Sequence, residues 1–151
     1  MPPRGGDASH ALEMARGLKG HVHAVNVTDG SRAVMRMSSL AVARLLLEEG
    51  IEPVLQMACR DRNRIAIQAD LLGAHALGIR NLLCLTGDPV RAGDQPKARP
   101  VNELESVRLL QQVTAFNRGD DPVKGELADG PTDIFAGAAA DPQCASWSGL
   151  V

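Results

Sequence analysis

The stretch from Pro53 to Pro89, PVLQMACRDRNRIAIQADLLGAHALGIRNLLCLTGDP, decides the fold. It opens on Pro53 to Ala58, six residues that read as a strand. Asp61 can then cap a helix in which Ile65, Ala69, Leu72 and Ala76 recur at helical spacing, and Gly78 supplies the stop. Asn81 to Leu85, NLLCL, is near-continuously apolar, the type of strand expected in a parallel sheet covered on both faces. Strand, helix and strand in one short run make a βαβ unit.

The same alternation extends outward. Upstream, His21 to Val27 is β-branched and alternating and closes on the turn residues Thr28-Asp29-Gly30. Ser38-Ser39 offers an N-cap to a helix carrying Leu40, Ala43 and Leu47 that stops at Gly50. A further helix, about Asp7 to Leu18, precedes the first strand. Downstream, a polar loop runs to Pro100, and Asn102 with Glu105 resembles a capping box for a helix to about Thr114. Asn117 to Asp133 reads as an acidic loop, Ile134 to Ala139 as a fourth strand, and Gln143 to Val151 continues no pattern. Strand starts near residues 21, 53 and 81 lie one βα unit apart. Two α/β architectures fit, an open doubly wound sheet or part of a (β/α)8 barrel. A whole barrel takes about 250 residues, so on pattern alone 151 residues lean to the open sheet.

Composition narrows the function classes. Sixteen Lys and Arg against 18 Asp and Glu leave a formal net charge of −2, which argues against nucleic acid or an anionic membrane as the main partner. At 44% hydrophobic and 23% charged the chain reads as a soluble globular protein, and no apolar run reaches the length of a membrane span. Aromatic residues are limited to Phe116, Phe135 and Trp147. Cys59, Cys84 and Cys144 are an odd, widely spaced set that suits a reducing cytoplasm, and Met-Pro-Pro-Arg-Gly-Gly is no signal peptide.

The glycine loops that cradle nucleotides are missing, as are C-x-x-C, H-E-x-x-H and G-x-S-x-G. His21 and His23 share a strand face and, without further ligands, read as ordinary strand residues, so no metal site is expected. Interest therefore falls on residues that follow strands, where βα proteins place their chemistry. Asp88 in Thr86-Gly87-Asp88-Pro89 is either turn chemistry or a carboxylate facing a site, and Thr28 and Asp29 hold the same place after the first strand. Gln56 is a polar residue in an apolar strand, either a satisfied core amide or a ligand contact. Arg60, Arg62 and Arg64 crowd a helix start against its dipole; they are offset by acidic neighbours or they hold an anionic ligand. Cys59 beside them is a reactive thiol or simply small and buried.

At these residues the chain resembles the 5,10-methylenetetrahydrofolate reductase family, in particular its shorter bacterial and archaeal forms. The resemblance rests on Pro2-Pro3-Arg4-Gly5-Gly6, on Ala24 to Asp29, on the block from Glu52 to Pro89, and on Gly130-Pro131-Thr132-Asp133 with the strand after it. It spans residues 2 to 142, leaves 143 to 151 as an unmatched tail, and implies an incomplete (β/α)8 TIM barrel of about four parallel strands. It further implies FAD at the C-terminal strand ends, NAD(P)H as co-substrate, and reduction of methylenetetrahydrofolate to 5-methyltetrahydrofolate in the cytoplasm. Carried over by motif, Asp88 matches the family aspartate near flavin and folate, Thr28 the threonine near flavin and nicotinamide, and Gln56, Thr86 and Gly87 strand-end positions that line the flavin. Gln56 departs from a histidine seen in some members.

The family's catalytic glutamate precedes the Pro-Pro-Arg segment, and its later βα units follow residue 142, so the chain is expected to be truncated at both ends. Alternatives therefore stay open. The chain is a reductase, a catalytically inactive fragment that is either unfolded alone or a binding partner for another subunit, or a different barrel enzyme acting on a pterin, and its expected protein partners are a homo-oligomer or a partner subunit.

Overall fold

The computed structural model describes residues 1–140. Four helices and four strands alternate: α1 (Ser9–Arg16), β1 (Val25–Val27), α2 (Ser39–Glu48), β2 (Pro53–Ala58), α3 (Arg64–Ala76), β3 (Asn81–Leu85), α4 (Ser106–Arg118) and β4 (Phe135–Ala138). All strand pairs are parallel, and the sheet order β1-β2-β3-β4 follows the chain. A doubly wound sheet reverses its order at a switch point and carries helices on both faces. Neither feature is present among the described residues, so the lean towards an open doubly wound sheet is overturned. The arrangement is that of an incomplete (β/α)8 barrel.

Register explains which side chains the sheet buries. Val27, Leu55, Leu82 and Ala136 share one face, as do Met57, Cys84 and Ala138. This face meets Val42, Ala43 and Leu46 of α2, Ile67, Leu71 and Ala74 of α3, and Leu109, Val113 and Phe116 of α4. Phe116 is the single aromatic residue of that cluster, so the described core is almost wholly aliphatic. The opposite face carries Asn26, Val54, Gln56, Ala58, Asn81, Leu83, Leu85 and Phe135, and of these only Ala58, at the rim, is buried. The expectation that β3 is covered on both faces is therefore corrected. Leu82 and Cys84 are buried, whereas Leu83 and Leu85 are half-exposed, because all the helices lie on one side.

Three local expectations also change. The first strand is only Val25–Val27, since His21, Val22 and His23 stay exposed beside a turn in which the His21 amide donates to Leu18. Helix α3 is capped by Asn63, whose side chain accepts from the Ala66 amide, and not by Asp61. Its buried face is Ile67, Leu71 and Ala74, so Ile65, Ala69, Leu72 and Ala76 form an exposed apolar stripe, with Ile65 76% exposed. The capping box at Asn102 and Glu105 does not form. Helix α4 starts at Ser106, whose amide donates to Thr86 Oγ1 at 3.2 Å, so a residue of the β3 rim caps the helix. That helix also runs on to Arg118, where Gly119 at φ +84° turns the chain.

Candidate functional site

The C-terminal strand ends form one rim, built from the Thr28–Gly30 turn after β1, the Cys59–Asp61 turn after β2 and Thr86-Gly87-Asp88 after β3. Arg60 ties these three segments together. Its side chain is almost fully buried (5% residue exposure), yet it is well supplied with acceptors. Nε and Nη2 donate to Asp61 at 2.8 and 2.5 Å, and Nη1 donates to the carbonyls of Gly30 and Asp88, each at 3.3 Å. Its main chain adds three more links, donating to the Thr86 carbonyl and accepting from the Val101 and Asn102 amides. The hydrogen bonds to Asp61 raise the guanidinium pKa more than burial lowers it.

Arg62 makes a second buried junction. Its guanidinium contacts Asp29 Oδ2 at 2.6 Å and Asp70 Oδ2 at 2.8 Å. Burial lowers its pKa, but the two carboxylates outweigh that and the net shift is upward. Asp29 Oδ2 also accepts from the Ala58 amide at 2.8 Å, just beyond the last β1–β2 ladder pair. The carboxylate thus prolongs the ladder by a side chain, and Asp29 turns inward to structure. Arg64 pairs with Glu103 at 3.5 Å, and Glu103 also accepts from the Arg64 amide at the start of α3. All three arginines therefore have carboxylate partners. Two of those carboxylates, Asp29 and Glu103, come from distant loops that no local sequence window joins to the arginine cluster.

Asp88 stays at the surface of the rim. Its Oδ2 accepts from the Arg32 amide at 2.6 Å, which holds the β3 loop against the β1 loop. Arg32 and Ala33 both have left-handed backbones, at φ +59° and +54°, so this segment is conformationally costly and is held by contacts on both sides. Gly87 precedes Asp88 at φ +100°, and a Cβ there would meet Arg60 Cβ at 2.9 Å and Ala58 Cβ at 3.3 Å. Thr86, Gly87 and Asp88 line an open cleft of about 450 Å³ with Pro89, Arg91 and Asn102.

Cys59 and Cys84 lie beneath the rim, fully buried. Burial pushes the Cys59 thiol up to about 11 against the weaker pull of Arg62, and the Cys84 thiol up to about 12. Neither supplies thiolate near neutral pH, so the reactive-thiol reading of Cys59 gives way to the buried one. At pH 8 iodoacetamide should leave both unmodified in the folded chain and label both in denaturant, as read by peptide mass mapping. Labelling of Cys59 in the folded state would contradict this. Cys144 lies outside the described residues. Among the described residues no group of three or more His, Cys, Asp and Glu side chains is placed to hold a metal, and His21 and His23 are exposed.

A family model, Methylenetetrahydrofolate reductase, matches residues 1–146 of the 151. The chain belongs to this family. A search of curated proteins returned no match. Membership of the methylenetetrahydrofolate reductase family makes this an oxidoreductase-type barrel and fits the strand order above.

The five positions singled out from the methylenetetrahydrofolate reductase resemblance separate by geometry. Gly87 and Asp88 are exposed on the rim. Thr86 borders the same cleft, but its hydroxyl is engaged with Ser106 of α4. Gln56 lies lower, on the uncovered sheet face, with its amide Nε2 donating to Asn26 Oδ1 at 3.4 Å. Thr28 Oγ1 is buried and has no hydrogen-bond partner, an uncommon condition for a hydroxyl. Among the described residues no helix is long and apolar enough to cross a membrane.

Proposed function

We propose that this chain carries flavin- and folate-binding elements of a methylenetetrahydrofolate reductase, which converts 5,10-methylenetetrahydrofolate to 5-methyltetrahydrofolate with NAD(P)H. The observation that supports this most directly is the unpartnered Thr28 Oγ1 at the rim of a parallel α/β sheet in a chain of that family. A buried hydroxyl left unpaired costs about 1–3 kcal/mol, and a polar cofactor edge would remove that cost. Gly87 fits the same reading, because its positive φ and its close packing on the Arg60 and Ala58 Cβ atoms require glycine in the turn that presents the Asp88 carboxylate.

In this reading Thr28, Gln56, Thr86, Gly87 and Asp88 hold FAD. Held there, FAD would supply the hydride chemistry that links a nicotinamide to the folate. Asp88 supplies negative charge on the rim. That charge favours the cationic iminium form of the folate, and the Arg32 amide fixes the carboxylate in place. Thr86 acts mainly through position, because its hydroxyl caps α4 and so sets where Gly87 and Asp88 stand.

The test is FAD binding by the 151-residue chain, followed by reoxidation of its reduced flavin by methylenetetrahydrofolate. Asp88→Asn should leave FAD binding within about threefold and slow reoxidation by about 100-fold. An unchanged reoxidation rate removes Asp88 from the mechanism. A second reading, a non-catalytic piece that acts by association, is favoured by the uncovered sheet face. A chain that binds no FAD but forms a defined complex would support it.

A further inference from the structure

Two carboxylates of the loop between β3 and α4 grip one segment of the loop between β1 and α2. Asp88 Oδ2 accepts from the Arg32 amide at 2.6 Å, and Asp94 Oδ1 accepts from the Met35 amide at 3.0 Å. The gripped segment contains Arg32 and Ala33, whose left-handed backbones non-glycine residues adopt only where their surroundings impose it. Gly93 supplies the contact that does so. A Cβ there would run into the Ala33 carbonyl and lie 2.9 Å from the Ala33 Cβ, so only glycine lets the two loops approach this closely. Ala33 and Val90, one from each loop, are both buried.

Asp94 reaches beyond this pair of loops. Its Oδ2 accepts from Arg4 Nη2 at 2.7 Å. Next to Met35, Arg36 Nη1 donates to the Pro2 carbonyl at 3.0 Å and the Met37 amide to the Pro3 carbonyl at 2.8 Å. The far end of the segment is therefore tied down without any help from Asp88. At the near end, the Arg32 amide is the one side-chain hydrogen-bond partner of Asp88 among the described residues. It fixes Oδ2 and leaves Oδ1 as the oxygen open to a ligand.

We propose that Gly93 and Asp94 are positioning residues for the Asp88 carboxylate. They hold residues 32 to 35 in the left-handed turn that aims the Arg32 amide at Oδ2, and so fix which oxygen meets the substrate. Without them the turn relaxes to an ordinary backbone and the Arg32 amide swings away. Asp88 then rotates as a free surface carboxylate, and its charge is spread over several positions instead of one. The consequence for the chemistry rests on the reductase reading, whereas the clamp itself does not.

Hydrogen exchange at the Arg32 amide, followed by NMR on the 151-residue chain, reads the clamp without any cofactor. Asp88→Ala removes the acceptor and should speed this exchange by at least about tenfold. Gly93→Ala and Asp94→Ala should do the same with unchanged far-ultraviolet spectra, and Asp94→Ala carries the test if Gly93→Ala does not fold. Asp94→Asn keeps an acceptor for the Met35 amide and should hold exchange within about threefold of the parent. In the FAD-loaded chain, reoxidation of reduced flavin by methylenetetrahydrofolate should slow by at least about tenfold in Gly93→Ala and Asp94→Ala, and recover in Asp94→Asn. Flavin reduction by NAD(P)H and FAD affinity should stay within about threefold of the parent, which a merely damaged fold would not allow. Unchanged Arg32 exchange in Asp94→Ala overturns the clamp. Faster exchange with unchanged reoxidation overturns its part in positioning Asp88. A parent chain that binds no FAD counts against the reductase reading instead, and exchange at Arg32 still decides the clamp.

Discussion

Asp29→Ala should destabilise the chain by roughly 3 kcal/mol, the largest single loss expected on the rim. Two groups lose their partner at once. The Ala58 amide is left without its acceptor in a nearly inaccessible place, and Arg62 retains only Asp70 and a main-chain carbonyl. Removing one partner of a largely buried ion pair costs more than the pair contributes, because the remaining charge stays desolvated. Asp29→Asn separates the two causes. It keeps an acceptor for Ala58 but no charge for Arg62, and should cost about half as much. Urea denaturation of the three proteins measures this. A loss below about 0.5 kcal/mol for the alanine variant would show that Asp29 is a surface turn residue after all.

Gly87→Ala should produce the largest local change at the proposed site. A non-glycine residue at φ +100° costs about 1–3 kcal/mol. Two Cβ neighbours, on Arg60 and Ala58, leave the new methyl no room, and neither can rotate away because each is the first atom of its side chain. The turn must move, and with it the carboxylate of Asp88. Expected results are a stability loss of about 2 kcal/mol and FAD binding weakened by at least about tenfold. Equal FAD affinity in the variant and the parent would mean that the Gly87 backbone does not approach the cofactor. Asp88→Asn and Gly87→Ala should therefore separate: the first spares binding and slows chemistry, the second impairs binding itself.

Much of the layer order could be read from sequence because it depends on short-range signals. Strand starts one βα unit apart, turn residues after each strand and glycines at helix ends are all local. Helix α3 shows where local signals fail. It carries two apolar stripes at helical spacing, Ile65-Ala69-Leu72-Ala76 and Ile67-Leu71-Ala74, and periodicity alone does not choose between them. The sheet chose the second, and the start of the helix shifted from Asp61 to Asn63 accordingly. Caps supplied from elsewhere were equally hidden. Thr86 serves α4 and Glu103 serves α3, and both pairings exist only once the loops have met.

The candidate site divides in the same way. Asp88 and Gly87 were visible as strand-end residues, whereas the part played by Arg60 was not. Its position in a run of arginines suggested an ion pair or a ligand contact. Its burial beneath three converging loops is a tertiary fact.

Strand order that follows chain order also bears on how the molecule is built. Each strand pairs only with the one before it, so every addition joins an edge already formed and closes a loop of modest length. During synthesis, β1 and β2 can dock with α2 between them before β4 has left the ribosome. The sheet is laid down in the order in which it is translated.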